Sequence, residues 1–459
     1  MTGDTGKPVE ILEPVWIPFA DGTRLHARIW RPADAVENPV PAILEYIPYR
    51  LRDGTRGRDD PMHGWFAAHG YAAVRVDMRG SGESDGHLAD EYLAQEQNDA
   101  LEVIAWLAAQ PWCDGKVGMM GKSWGGFNAL QVAARRPPAL KAIVTVYSTD
   151  DRFADDIHFR GGCLLNDNQW WGSIMLAYQA RPLDPAVAGE DWRARWLERL
   201  DAMPFWPALW LAHQRRDAYW RHGSVNEDWS AIECPVLAVG GWADAYTNAV
   251  PRLLEHLHCP RAGIIGPWAH VYPHDGTPGP AIGFLQECLR WWDHWLKGRD
   301  TGVMAEPMLR AWIEDWRPPA TTLSASPGRW VGETWPSPRI VPTALPLAPG
   351  RLGETADPAE LPVSSPLHVG AAAGEWMGTG IPGEMPGDQR GDDALSLVFD
   401  GAPLADDLDI LGIPVVELTL AADAPLAQLC VRLCDVAPDG ASLRVSYAVL
   451  NLAHRDGSA

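Results

Sequence analysis

The sequence predicts an α/β fold with a mostly parallel sheet, followed by a region that is all β. Up to about residue 300, short apolar runs alternate with segments of helical periodicity, as in a parallel sheet covered by helices. A Trp-rich stretch without clear strands interrupts this alternation, and short strand-like runs with loops rich in Pro, Gly and Asp follow. We therefore predict an α/β domain in two parts, 1–149 and 230–303, a helical cap insertion at 150–229 and a jelly-roll-like β domain at 304–459.

The first part of the α/β domain begins with a predicted hairpin, in which Val15–Phe19 and Arg24–Trp30 alternate as strands around an Asp21-Gly22 turn. Further strands are expected at Ala42–Tyr46, Ala72–Asp77, Val117–Met120 and Leu140–Tyr147, with helices at Asn98–Ala109 and Phe127–Arg136. After the cap we expect strands at Val236–Gly240 and Ala262–Gly266, and helices at Val250–His258 and Leu285–Lys297. The β domain offers strand-like runs at Arg339–Leu345, Leu395–Phe399, Val415–Leu420, Gln428–Cys434 and Ser442–Leu450.

Composition restricts the class of partner. The 459 residues carry 38 basic and 60 acidic side chains, a formal charge of −22, which opposes binding to nucleic acid or to an anionic membrane. Met1–Lys7 is polar and lacks the apolar core of a signal peptide. Seven cysteines without regular spacing indicate reduced thiols, so we expect a cytoplasmic protein.

Gly121-Lys122-Ser123-Trp124-Gly125 has the pattern of a nucleophile elbow, the sharp turn from a strand to a helix that presents a catalytic serine. The pattern is short, and Gly82-Glu83-Ser84-Asp85-Gly86 also fits it. Only Ser123 stands between an apolar run and a helix-like stretch, whereas Ser84 lies in a loop rich in Gly, Ser and Asp. We therefore predict that Ser123 is the nucleophile.

A serine nucleophile needs an imidazole to accept its proton and a carboxylate to orient that imidazole. Asp244 follows the strand at Val236–Gly240, and His270 follows the strand at Ala262–Gly266. Both therefore lie at the carboxyl ends of strands, where open α/β sheets place their sites. Asp150 and Asp151 also follow a strand and remain alternatives for the acid.

The oxyanion of the tetrahedral intermediate requires at least two hydrogen-bond donors. The backbone N–H of Trp124, directly after the nucleophile, is one candidate. The second donor is expected from the loop after Ala42–Tyr46, where Tyr49 is either a hydroxyl donor or a packing residue.

No cofactor and no metal is expected. His270 and His274 are four residues apart, but no Glu-rich partner is nearby to complete a metal site. The Gly-rich stretch Gly80–Gly86 lacks the lysine of a phosphate-binding loop. The basic run Arg50–Arg58 is interrupted by acidic residues, which indicates a surface loop with salt bridges rather than an anion site.

Several segments resemble the family that contains cocaine esterase, glutaryl cephalosporin acylases, α-amino-acid ester hydrolases and X-prolyl dipeptidyl peptidases. The matching segments, besides the elbow, are Asp21–Thr23, Ile47–Arg50, Asp77–Gly82, Gln110–Gly118, Gly241–Asp244, Gly266–His270 and Trp292–Gly298. The resemblance implies an α/β-hydrolase domain, a helical cap and a jelly roll. It also implies a triad of Ser123, Asp244 and His270, with the Tyr49 hydroxyl in the oxyanion hole.

The sequence departs from one branch of this family. The α-amino-acid ester hydrolases hold a substrate ammonium with acidic residues, partly from just after the oxyanion tyrosine, where this chain has Arg50-Leu51. We therefore predict cleavage of a carboxylic ester through an acyl-enzyme. An amide-cleaving acylase or X-prolyl dipeptidyl peptidase is the first alternative, and a non-catalytic binding protein is the second. The acyl and alcohol groups and the oligomeric state stay open.

The β domain also has fewer strand-like runs than the resemblance implies. A full jelly roll has eight strands, whereas about five or six runs follow residue 305 before the sequence stops at Ala459. We expect a C-terminally shortened chain with an incomplete sandwich and an open edge, and an intact catalytic domain.

Overall fold

A computed structural model describes residues 6–353, 355–357 and 359–457. Its strands are β1 Val9–Pro18, β2 Arg24–Pro32, β3 Val40–Ile47, β4 Ala72–Asp77, β5 Cys113–Lys122, β6 Leu140–Val146, β7 Phe159–Arg160, β8 Cys163–Leu164, β9 Val236–Gly241, β10 Arg261–Gly266, β11 Leu309–Glu314, β12 Gly328–Glu333, β13 Leu347–Ala348, β14 Arg351–Leu352, β15 Gln428–Val436 and β16 Ser442–Asn451.

Its α-helices are α1 Arg56–Ala68, α2 Ala94–Ala108, α3 Trp124–Ala134, α4 Asp167–Gln179, α5 Pro185–Ala188, α6 Trp192–Ala202, α7 Trp206–Leu211, α8 Ala218–Arg221, α9 Ala249–His256, α10 Phe284–Trp295 and α11 Arg390–Asp393. Short 3₁₀ turns occupy Val225–Glu227, Trp229–Ala231, Val303–Ala305 and Leu452–His454. Among the helices of the described residues, no segment combines the length and apolarity that crossing a bilayer requires.

A ten-stranded sheet in the order β1-β2-β4-β3-β5-β6-β9-β10-β11-β12 forms the centre of the molecule. The strands from β4 to β11 pair in parallel, whereas β1, β2 and β12 pair antiparallel with their neighbours. The central strands β3, β4 and β6 are almost wholly buried, which explains their nearly continuous apolar sequences. This confirms the predicted α/β class and brings the ends of β3, β5, β9 and β10 to one edge of the sheet.

One helix of the α/β domain, α1, was not predicted from the sequence. The run predicted as a surface loop, Arg50–Arg58, instead leads into α1, which begins at Arg56 and contains Pro61 in its first half. Pro61 lies beyond the first turn and lacks the N–H that would bond the carbonyl four residues earlier, and Arg-Gly-Arg-Asp-Asp-Pro is typical of a turn. The salt bridges are present, yet Arg50 and Asp59 are buried, so this segment is not a solvated loop.

The segment predicted as a cap, residues 150–229, contains helices α4 to α8, the two-residue strands β7 and β8 and short 3₁₀ turns. Arginines attach the cap to the loops of the sheet. The Arg199 guanidinium donates to the carbonyl oxygens of Gly82 and Ser84 at 2.8 and 2.7 Å. The Arg152 guanidinium donates to the Glu91 carboxylate, in the segment before α2, at 3.1 Å. These hydrogen bonds attach the helical segment to the loops that follow β4.

The C-terminal region is rich in β-structure, as predicted, but its strands differ from the expected set. Gln428–Val436 and Ser442–Asn451 pair as an antiparallel hairpin. The runs at Arg339–Leu345, Leu395–Phe399 and Val415–Leu420 are not strands in the described residues. Strands β11 and β12 were missed, and they extend the central sheet, so that sheet crosses the boundary expected at residue 304. The described part of this region therefore does not form two closed sheets.

Candidate active site

Ser123 occupies a strained turn between β5 and α3. Its φ is 59° and its ψ is −124°, a combination of backbone angles that residues other than glycine rarely adopt. Glycines permit the turn, because a Cβ on Gly121 would lie 2.5 Å from the Cα of Gly125. On the other side, a Cβ on Gly126 would lie 2.9 Å from the Cβ of Ser148. The elbow geometry predicted from the sequence is therefore present, and the Ser123 side chain is only partly buried.

The Trp124 N–H follows at the start of α3. The first N–H groups of a helix have no intrahelical acceptor, so this group is available to a ligand at the helix N-terminus. The Trp124 indole is fixed below the turn, because its Nε1–H donates to the Glu96 carboxylate at 2.7 Å. Burial raises the pKa of Glu96 to about 8, and the hydrogen bond from Trp124 opposes that rise.

Asp244 and His270 meet beside the elbow. His270 Nδ1 lies 2.6 Å from Asp244 Oδ1, and the other carboxylate oxygen accepts the backbone N–H of Tyr246 at 2.9 Å. In such a contact His270 Nδ1 carries a proton and donates it to Asp244. Nε2 is then unprotonated and can accept a proton. Burial lowers the pKa of His270 below 6.5, while Asp244 raises it and Lys122 lowers it further.

The alternative residues are engaged elsewhere. Asp150 forms an ion pair with Arg252, at 2.9 Å from Nε, and Asp151 pairs with Arg216 at 3.1 Å. Ser84 is fully buried and donates its hydroxyl proton to the Asp77 carbonyl at 2.7 Å, so it has a structural role. His274 stacks on Phe284, with ring centroids 5.9 Å apart, and does not converge with His270 on a metal position.

Tyr49 lies close to the Ser123 turn, with its ring centroid 6.3 Å from that of Trp124. Burial raises the pKa of Tyr49 above its ordinary value of 10.0, and a hydrogen bond with the Ser123 side chain opposes this rise. The phenol therefore keeps its proton at neutral pH and remains a donor. Its ring is held by aromatic neighbours, with ring centroids 6.1 Å from Trp171 and 5.6 Å from Tyr178. The sequence left donor and packing roles open for Tyr49, and its position is compatible with both.

The Arg50 guanidinium does not face the Ser123 turn. Its Nε donates to Asp53 at 2.8 Å and a terminal nitrogen donates to the Pro182 carbonyl at 2.7 Å. Because the guanidinium is engaged in this way, the position of Arg50 gives no direct support for the predicted exclusion of a substrate ammonium. Another charged side chain, Glu91, is more relevant to the binding of a substrate ammonium. Its Oε2 accepts the Trp171 indole N–H at 3.1 Å.

Glu91 is already neutralised by its neighbours. Its Oε1 lies 2.7 Å from His158 Nε2 and 3.1 Å from an Arg152 nitrogen. Burial by itself would raise the pKa of Glu91, but the positive charges of His158 and Arg152 hold it at about 2. The carboxylate next to Trp171 thus has a cationic partner within the protein.

Two buried groups have donor sets that could in principle bind a metal ion. They comprise His26 with Asp77 and Glu83, and Glu45 with Asp59 and His63. Arginines already lie against both groups. Arg75 is 3.3 Å from Asp77 and 3.4 Å from Asp59, and Arg58 is 2.7 Å from Glu45. These guanidinium groups supply the positive charge that a metal ion would bring.

Sequence reasoning assigned no role to two contacts of the His270 main chain. The Lys122 ammonium donates to the His270 carbonyl at 2.7 Å, and the His270 N–H donates to the Gly378 carbonyl at 2.8 Å. Lys122 is part of the elbow motif, so a charged residue directly before the serine was a visible signal. Gly378 lies 108 positions beyond His270 in a loop-rich segment, and nothing in its sequence indicated this contact.

The parallel sheet, the strained Ser123 turn and the contact between Asp244 and His270 together define an α/β-hydrolase. Residues 21–272 match the profile of the X-Pro dipeptidyl-peptidase (S15) family, and residues 301–459 match that of its C-terminal non-catalytic domain. The chain therefore belongs to the X-Pro dipeptidyl-peptidase (S15) family, and it is a serine hydrolase of that family.

Similar proteins include both esterases and peptidases. Cocaine esterase of Rhodococcus sp. is 25% identical over an alignment that covers 96% of this chain and 83% of the esterase. Among solved structures, an α-amino acid ester hydrolase matches with a TM-score of 0.71 and 21% identity, covering all of this chain and 84% of that one. An aminopeptidase from a marine sediment archaeon matches over the same shares with a TM-score of 0.67 and 20% identity. At such identities the two structures establish the fold alone.

Proposed function

We propose that this protein cleaves a carboxylic ester through an acyl-enzyme formed on Ser123. The observation that carries the proposal is the 2.6 Å contact between Asp244 and His270, and the position of Tyr49, whose ring centroid lies 6.3 Å from that of Trp124 directly after Ser123, supports it. An acid, a base, a nucleophile and a donor for the oxyanion then lie at one edge of the sheet. This set of groups is what acyl transfer requires.

The reaction follows from these positions. Ser123 Oγ attacks the acyl carbon while His270 Nε2 accepts its proton, and Asp244 stabilises the imidazolium that results. The Tyr49 hydroxyl and the Trp124 N–H donate to the oxyanion. His270 then gives its proton to the leaving alkoxide, which departs as an alcohol. A water molecule, deprotonated by the same imidazole, then attacks the acyl carbon; the bond to Ser123 Oγ breaks, His270 returns the proton to Ser123, and the carboxylic acid is released.

An ester without a cationic amino group fits the surroundings of Ser123 best. The carboxylate next to Trp171, Glu91, is paired with Arg152 and His158 and therefore does not attract a substrate ammonium. A dipeptidyl peptidase must bind the free amino terminus of its peptide, for which an uncompensated carboxylate is the usual partner. The amide-cleaving alternative remains because the family itself takes its description from X-Pro dipeptidyl-peptidases.

The two candidates are separated by comparing kcat/KM for p-nitrophenyl acyl esters with kcat/KM for Xaa-Pro p-nitroanilides. We expect the esters to react and the anilides with a free amino terminus to be poor substrates. N-acylated anilides are the matched control, because they keep the scissile amide and remove the charge. Preferential turnover of the free-amine anilides would contradict the ester proposal and favour the peptidase.

The non-catalytic alternative is tested separately with a fluorophosphonate probe, which reacts only with an activated serine. Covalent labelling of the wild-type protein and its loss in Ser123→Ala is the expected result. An unlabelled but folded wild-type protein would favour a binding protein. The Ser84→Ala variant, altered in the other Gly-x-Ser-x-Gly segment, should label like the wild type.

A further inference from the structure

Lys122 connects the nucleophile elbow to the segment that carries the general base. It is the last residue of β5, directly before Ser123, and its side chain is partly buried. Its Nζ donates to the main-chain carbonyl of His270 at 2.7 Å. The same ammonium lies 5.8 Å from the centre of the Tyr272 ring, two residues after His270. One lysine thus contacts the short segment after β10 at two points.

The peptide groups of His270 are held from two sides. Its N–H donates to the Gly378 carbonyl at 2.8 Å, and its carbonyl accepts from Lys122. These two anchors belong to distant parts of the sequence, one in the sheet and one in the C-terminal region. The imidazole is fixed at Nδ1 by Asp244 at 2.6 Å, so rotation of the ring and displacement of its main chain are restrained by different residues.

We propose that Lys122 is a positioning residue, which fixes the His270 main chain relative to Ser123 and places a positive charge at the carbonyl of the residue that carries the imidazole. The proposal rests on the proposed roles of Ser123 and His270. Lys122 and Ser123 are adjacent in the chain. The hydrogen bond from Lys122 to the His270 carbonyl therefore restrains the distance between the nucleophile and the base. Small displacements between reacting groups slow acyl transfer strongly.

The charges around both groups decide the expected pH effect. Lys122 is faced by Arg58 of α1, by Glu45 of β3, by Asp244 after β9 and by Asp275 after β10. His270 is faced by Asp244, by Lys122, and by the rings of Tyr147 at 5.5 Å and Tyr246 at 5.9 Å. Burial lowers the pKa of Lys122 to about 8, so the ammonium form predominates at pH 7. Its charge disfavours a second proton on His270 and thereby keeps the base neutral.

The test compares Lys122→Met, which removes the charge at similar length, with Lys122→Arg, which keeps it. In Lys122→Met we expect kcat to fall roughly tenfold with little change in KM. The acidic limb of kcat/KM should move up by about 0.5 to 1 pH unit, because the charge that opposes protonation of His270 is gone. Lys122→Arg should keep the wild-type position of that limb, an outcome that a purely structural role would not produce.

A limb that does not move in Lys122→Met, or that moves equally in Lys122→Arg, overturns the proposal. If Lys122→Met does not fold, Lys122→Gln serves as the neutral variant with the same criterion. If neither neutral variant folds, the alkaline limbs of the pH profiles of the wild type and of Lys122→Arg are compared. The wild type should lose activity as pH rises through about 8, and Lys122→Arg should retain it. Identical alkaline profiles then overturn the proposal. An active wild type with unmoved limbs refutes only the role of Lys122, whereas a wild type that hydrolyses no ester or amide refutes the proposed function.

Discussion

The strain at Ser123 resides in the backbone, whose φ of 59° is fixed by the glycines around the turn rather than by the serine side chain. Replacing Ser123 by Ala should therefore leave the fold intact and remove the nucleophile. We expect less than about one thousandth of the wild-type ester turnover. The measurement is kcat on a p-nitrophenyl ester, with circular dichroism to verify folding.

Ser84→Ala is the matched control for that experiment, because Ser84 occupies the same sequence pattern. Its hydroxyl only bonds the Asp77 carbonyl and accepts the His26 N–H, so stability should fall by about 1 kcal/mol while turnover per folded molecule is kept. Loss of turnover in Ser84→Ala, with Ser123→Ala active, would exchange the roles of the two serines.

The environment of His270 fixes the sign of the pH dependence. Burial lowers the pKa of His270 below 6.5, and the base must be neutral to accept the serine proton. Activity should therefore be low at acidic pH, rise through an apparent pKa below 6.5 and be complete at neutral pH. The sequence alone suggested about 6 to 7.5 for this pKa, the ordinary range of a histidine. A profile of kcat/KM that is flat between pH 5 and 9 would exclude His270 as the base.

The Tyr49 hydroxyl should act mainly in the transition state. Since burial keeps the phenol protonated, Tyr49→Phe removes a donor without changing charge. We expect kcat to fall by roughly 10² to 10³ with a small change in KM. Tyr178→Phe, which alters the neighbouring ring 5.6 Å away, should stay near wild type. A change confined to KM in Tyr49→Phe would instead assign Tyr49 to substrate packing.

At the scale of the elements, the close approach of β5 and α3 allows no side chain at Gly121. A Cβ there would lie 2.5 Å from the Cα of Gly125, and the Gly125 atoms that it would meet all belong to the backbone. Gly121→Ala should therefore destabilise the protein by about 1 to 3 kcal/mol and misplace Ser123. Gly57→Ala is the control, because nothing lies within 4 Å of its Cβ position in α1. Urea denaturation measures both, and equal stability of the two variants would contradict this account.

The elements of the α/β domain were largely predictable because their signals are local. The run Ala72–Asp77 is mostly apolar, and its predicted bounds agree with the structure. The helix α1 was not predictable, because Pro61 and the charged Arg56–Asp60 segment suggest a turn while its buried face is set by tertiary contacts. In the C-terminal region, Val415–Leu420 has the composition of a strand but no partner strand, and pairing is what makes a strand.

At the scale of the whole molecule, stability is expected to be uneven. The central sheet is densely buried, whereas residues 401–427 lack helix and strand and expose apolar side chains, with Val415 77% and Leu426 74% accessible. Thermolysin, which cuts before large apolar residues, should cleave within 401–427 first. Mass spectrometry of the earliest fragments checks this, with heat-unfolded protein as the control for intrinsic site preference. A first cut within the cap or the sheet would refute the expectation.

The sequence by itself determined the class of fold, the family and the residues proposed for the chemistry, because each is encoded locally. The elbow glycines, the apolar strands and the residues directly after them follow one another along the chain. The tertiary structure decided what depends on distant residues meeting. It pairs Glu91 with Arg152 and His158, turns Arg50 toward Pro182, and brings Gly378 and Lys122 to the two sides of His270. Charge compensation and positioning act through space, so they depend on contacts between segments that no local pattern specifies.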